Sequence, residues 1–426
     1  MASRPGVGGR AFGWAPGRGT AVCLGFSVVL AAYLFTPTWW FEIGADAKVF
    51  YAAGQVAASG GDPYQVSQIN RMEDLDYNRG ADVPFGHAPY GYPPLVTALF
   101  RAGAALPEVT FYLVSLTILV AAGLAGFEFC LDYLGWQRRA LPRAFFLAST
   151  PMALDAFVGN PSGILLLASA AGAWLVARGR PLAGGIALSV MSLKPQVGLP
   201  IAAAILLGAP FAASPGHAVP RAWMLTIGGF GAGGALLAGL GIVLVGPSAF
   251  AHWMASLAAF GAALGPGGEG SAFAQSGLAG LPSLFGGALP LAAAILAPAA
   301  VLFVLSARVL RPGSGALGQP TTAPLALAIA VFLALSPYLH LNDLVLGALP
   351  VLFIASEPQN ALTRITLLVW TVGPLAREGA AALLGTRFGL GGVGQAGFGA
   401  VMTGTLVLSV IWVLASRPSK STRTLE

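Results

Sequence analysis

The feature that most limits the possible folds of this chain is its succession of apolar segments, joined by short turns rich in Gly, Pro and Arg. They run roughly through 21–40, 107–130, 144–158, 161–177, 181–193, 196–209, 222–246, 289–307, 323–337, 341–356, 361–377 and 394–416. With 56% hydrophobic and 9% charged residues, the chain cannot coat a soluble globule with polar surface. The expectation is an all-α polytopic membrane protein, a bundle of about twelve transmembrane helices with a long first external loop. Several segments, notably 144–158 and 181–193, fall short of the roughly 20 residues a bilayer needs. They read as broken helices around a cavity, where irregular backbone is tolerated. Pro93 to Leu106 is shorter still and reads as re-entrant.

The basic residues orient the bundle. Arg4, Arg10 and Arg18 precede the first span, which ends in Trp39-Trp40 and reads as an uncleaved helix. If every span flips the side, Arg138, Arg139, Arg143, Arg178, Arg180, Arg221, Arg308, Arg311, Arg364 and Arg417 all fall inside. The net charge of +6 is then a topology signal, and no nucleic-acid partner is implied. The organisation is a basic cytoplasmic N-terminus (1–20), one transmembrane domain (21–416) with external loops at 41–92 and 247–288, and a cytoplasmic tail (417–426). Cys23 and Cys130 both lie in apolar stretches and support neither a disulfide framework nor a zinc site.

That topology sends an unusual set of side chains to the outer face. Asp46 comes first, just past the opening span, in Gly44-Ala45-Asp46-Ala47-Lys48; an acid at the rim of so apolar a chain is a candidate for chemistry. Asn160, Lys194, Gln275-Ser276, His340, Asn342 and Asp343 share that side. Each also has a plainer reading. Lys194, followed by Pro195, either snorkels to the interface or binds a phosphate at a broken helix end. His340 is either a satisfied core histidine or part of a polar site with Asn342 and Asp343. Asn160 before Pro161 equally suits a helix cap. Asp62-Pro63-Tyr64 reads as a turn and Tyr90-Gly91-Tyr92-Pro93-Pro94 as an aromatic belt leading into a helix. None of the four histidines is paired at metal-ligand spacing, so no metal site is expected.

Taken in order, these segments carry a resemblance. Asp46 with Tyr51-Ala52-Ala53-Gly54, Gly61-Asp62-Pro63-Tyr64, Tyr92-Pro93-Pro94, Gly159-Asn160, Arg178 to Gly184 leading to Leu193-Lys194-Pro195-Gln196, Gln275 to Gly280, and Ser336 to Asp343 follow one another. The series resembles the polyprenyl-phosphate-mannose-dependent mannosyltransferases of the glycosyltransferase-C superfamily, relatives of the enzymes that elongate phosphatidylinositol mannosides. The likeness spans about residues 20 to 416. Where relatives often carry Gly-Gln-x-Asn, this chain has Gly159-Asn160-Pro161-Ser162.

The resemblance implies an inverting transferase that moves a sugar, mannose foremost, from a polyprenyl-phosphate donor to a glycolipid or glycan acceptor. The reaction would face the periplasm or exterior of a bacterial plasma membrane, with both termini cytoplasmic. Asp46 would be the general base; Lys194, His340 and Lys48 would bind the donor phosphate. Tyr51, Tyr64, Tyr92, Asn160, Gln196, Gln275, Ser276, Asn342 and Asp343 would bind sugar or acceptor. No cofactor is implied, and assistance by a divalent cation stays open. The other function class is a polytopic transporter or flippase of a lipid or sugar, which also uses broken helices.

Overall fold

The computed structural model describes residues 45–65, 67–69, 71–72, 90–136, 140–212, 219–264, 322–335, 339–357, 360–370 and 391–416. Among them every regular element is helical. The elements are α1 (Ala45–Ala58), α2 (Pro94–Gly103), α3 (Glu108–Tyr133), α4 (Ala140–Ala148), α5 (Thr150–Val158), α6 (Ser162–Ala177), α7 (Pro181–Ser189), α8 (Pro195–Ala212), α9 (Val219–Val245), α10 (Ser248–Leu264), α11 (Thr322–Leu335), α12 (Ala348–Ala355), α13 (Ala361–Trp370) and α14 (Gly391–Ala415). Short 3₁₀ turns, Val190–Leu193 and Leu341–Gly347, precede α8 and α12.

Among the described residues two helices, Glu108–Tyr133 and Arg221–Val245, are long and apolar enough to cross a membrane. Twelve full spans are therefore not what the described residues contain. The other apolar helices are shorter, and the expected spans 21–40 and 289–307 lie outside the described residues. Two stretches read as external loops contain helices: α1 lies within 41–92 and α10 within 247–288.

The long helices show how the bundle meets its surroundings. On α3, Val109, Leu113, Val114 and Ile118 are open, while Leu119, Gly123, Gly126, Phe127 and Cys130 are buried against the neighbouring helices. On α9, Leu236 is 61% and Val243 81% exposed. Helices apolar all round suit lipid outside and protein inside. Without a water-driven force between helices in lipid, close packing must hold them, and small residues permit it. A Cβ at Gly126 would stand 2.6 Å from the Leu167 backbone nitrogen, and one at Gly185 would stand 2.0 Å from the Thr226 carbonyl oxygen. These glycines therefore let α3 approach α6, and α7 approach α9, backbone to backbone.

Breaks in the helices have local causes. The segment read as one span over 144–158 divides at Ser149, which is extended (φ −68°, ψ 142°) ahead of Thr150-Pro151. Helix α7 tightens into 3₁₀ geometry and stops at Lys194 (φ −133°, ψ 75°), because the ring of Pro195 disfavours α geometry in the residue before it. Gly159 closes α5 in the left-handed region (φ 74°, ψ 35°), which glycine enters without a steric penalty. The last two breaks bring Lys194 and Asn160 together.

Candidate active site

Asp46 lies in the first turn of α1, where a carboxylate complements the positive end of the helix dipole. Against that turn sits the corner between α5 and α6: a Cβ on Gly159 would stand 2.7 Å from the Cβ of Ala47, so only glycine allows the approach. The corner carries Asn160, whose Nδ2 donates to Asp46 Oδ2 at 2.5 Å. Lys194 reaches the same amide from the α7–α8 break, its Nζ donating to Asn160 Oδ1 at 2.9 Å and to Asp343 Oδ1 at 2.6 Å. Ser162 Oγ lies 2.7 Å from Asn160 Oδ1 and 2.5 Å from Asp343 Oδ1, with one proton to serve both. Residues as far as 181 positions apart in sequence are thus joined in one hydrogen-bonded knot.

The far side of the knot is equally fixed. The His340 backbone N–H donates to Asp343 Oδ2 at 3.1 Å, and the His340 side chain accepts from the Asp343 backbone N–H in a reciprocal cap. That acceptor role leaves one ring nitrogen unprotonated. Burial likewise lowers the His340 pKa, with the Asp343 carboxylate opposing it. Asp155, fully buried on α5, accepts the Gly163 backbone N–H at 3.0 Å through Oδ2, and its Oδ1 has no hydrogen-bond partner among the described residues. No group of His, Cys, Asp or Glu among the described residues is arranged to hold a metal ion.

Exposure divides the site. Asn160, Ser162, Lys194, Asp343 and Asp155 are all at most 3% exposed, whereas Asp46, Tyr92 and His340 are half-buried. The three half-buried groups are the ones that keep some surface open. Burial raises the Tyr92 phenol pKa well above its ordinary value, and the Asp46, Asp343 and Asp155 carboxylates add to the rise, so it stays a neutral donor. A reachable carboxylate on a rigid buried base is suited to taking a proton from a hydroxyl.

A family comparison gives the class of the protein. The sequence pattern of glycosyltransferase family 87 matches residues 90–337, more than half of the chain. The chain belongs to glycosyltransferase family 87. No curated protein and no solved structure matches it. Membership makes this a membrane glycosyltransferase with a sugar donor and an acceptor, and it leaves the transporter reading without support.

The remaining residues singled out in this glycosyltransferase have varied places. Lys48 is half-buried on α1, and Gln196 is half-buried in the first turn of α8. Tyr51 is buried, its hydroxyl donating to the Leu106 carbonyl at 2.8 Å. Tyr64 is buried too, donating to the Tyr92 carbonyl at 3.0 Å, and burial raises its phenol pKa. Both sit in an aromatic cluster with Phe50, Tyr90 and Phe111 that braces α1 against α2 and α3, which is a packing task. Asn342 lies on the 3₁₀ turn beside Asp343. Gln275 and Ser276 lie outside the described residues. Sequence reasoning missed Ser162 and Asp155. The second had a usable signal, a carboxylate inside an apolar span.

Proposed function

We propose that this glycosyltransferase moves a sugar, mannose first, from a polyprenyl-phosphate donor to the hydroxyl of a glycolipid or glycan acceptor, with inversion at the anomeric carbon. Asp46 is the base. The acceptor oxygen attacks the anomeric carbon, the carbon–oxygen bond to phosphate breaks with its electron pair leaving on the phosphate, and the hydroxyl proton passes to Asp46. The leaving phosphate needs donors near it. Among the described residues, two of the three ammonium protons of Lys194 are engaged by Asn160 and Asp343, and the third, with His340 and Lys48, serves the phosphate. Tyr92 donates to a sugar oxygen.

Support for this reading rests on one observation: Asp46 is the half-buried carboxylate of a site whose other carboxylates, Asp155 and Asp343, are fully buried. A buried polar network in so apolar a chain costs stability unless fully satisfied, and such residues in membrane helices serve function by default. The site faces the periplasm or exterior of a bacterial plasma membrane, with both termini cytoplasmic; the distribution of arginines supports that orientation. The test is transfer by the purified full chain from a panel of polyprenyl-phosphate sugars, read by product mass. Asp46→Asn is expected to abolish transfer, with thermal stability and donor binding preserved. Undiminished transfer by that variant would sink the assignment.

A further inference from the structure

Asn160 reads from sequence as a sugar ligand or a helix cap, and its surroundings fit neither. Its side chain is 3% exposed, and no side-chain cap bond is made at the start of α6. The two ends of its amide differ chemically, because the oxygen only accepts and the nitrogen only donates. The ammonium of Lys194 at 2.9 Å can only donate, so the end facing it must be the oxygen. Ser162 Oγ approaches that same oxygen at 2.7 Å. The nitrogen end is therefore turned toward Asp46, which it meets at 2.5 Å.

Nothing in this chain of contacts is loose. Lys194 is held by Asp343, which is held in turn by the backbone of His340. The Asn160 backbone is tied to the Asp155 carbonyl at 3.1 Å. Gly159 brings the whole corner against Ala47, one residue from Asp46.

We propose that Asn160 is the positioning residue of the transfer: its amide nitrogen holds one oxygen of Asp46 and thereby turns the other to the acceptor hydroxyl, while Lys194 fixes which way the amide faces. This rests on Asp46 acting as the base. Asn160 touches no substrate in this arrangement and acts through the carboxylate alone. A base misaimed by about 1 Å loses roughly 10²-fold in rate.

Asn160→Asp keeps the shape of the side chain and an oxygen for Lys194, but turns an acceptor toward Asp46. Asn160→Ala removes both ends without adding charge. In the full chain purified in detergent, with polyprenyl-phosphate-mannose or whichever panel member the unaltered protein uses, both variants should lower kcat by about 10²-fold with the donor KM unchanged. A sugar ligand behaves differently: a raised donor KM with kcat intact in either variant overturns the proposal, and so does an unchanged kcat. Asp46→Asn, run alongside, separates the two ideas. If it still transfers, the base assignment fails; if it is inert while the Asn160 variants keep full kcat, the positioning role alone fails.

Discussion

Helix α6 carries an ion pair near each end, and the two ends could hardly differ more. At its start Lys194 and Asp343 pair at 2.6 Å with side chains 2% and 0% exposed. Beyond its C-terminus Arg178 pairs with Asp132 at 2.9 Å with 45% and 35% exposed, and Asp132 also accepts the indole N–H of Trp174 at 2.6 Å. The buried pair has given up water and depends on its neighbours for every hydrogen bond; the exposed pair has water as an alternative partner. Burial thus separates a pair that fixes geometry from one that decorates a surface.

Breaking the buried pair should have the largest effect. Lys194→Met leaves Asp343 charged, enclosed and uncompensated, at a cost of about 3–5 kcal/mol. The expected result is a sharp fall in the melting temperature of the purified protein and no transfer. Lys194→Met with Asp343→Leu removes both charges and should regain a good part of that stability while transfer stays absent. If the single variant melts like the unaltered protein, the knot is not a structural anchor.

Packing beside the two pairs offers a second, smaller contrast. A Cβ on Gly163, next to Ser162, would stand 2.5 Å from the Leu119 carbonyl oxygen, a backbone atom that cannot swing aside. Gly163→Ala should cost about 1–3 kcal/mol as overpacking and lower transfer by shifting Ser162. Gly179, beside Arg178, meets open space with φ at 74°. Gly179→Ala should cost only the left-handed penalty, about 1 kcal/mol, and leave transfer alone. Equal melting shifts for the two would dissolve the contrast.

Much of the knot was legible in the sequence, because polar residues are conspicuous in an apolar chain. Asp46, Asn160, Lys194 and His340 each stood within three residues of a Pro or Gly, with Asp343 three residues past His340, and the structure gathers all five. What sequence could not supply was who bonds whom. Lys194 reads as a phosphate ligand, but nothing in the sequence shows that it also bonds Asn160 and Asp343. Ser162 reads as one more turn serine, since its partner Asp343 lies 181 positions away. Tyr51 and Tyr64 read as ligands because aromatic hydroxyls at an outer face suit sugars, yet both point into the protein. Helix lengths were legible less well, because proline and glycine breaks shorten several apolar segments below a full crossing.

The smallest effect belongs to the exposed pair. Arg178→Ala removes an ion pair and a guanidinium stacked 4.8 Å from the Trp174 ring centroid, but Asp132 keeps its bond from Trp174. The loss should be about 0–1 kcal/mol and should shrink further at high salt, where exposed charges are screened. Transfer should be unchanged, because α6 is held to α3 along its length by the Gly126 and Gly163 approaches and does not depend on this end. A melting shift as large as that of Lys194→Met would mean that Arg178 also anchors the bundle, and exposure would then be a poor guide to which of its charges matter.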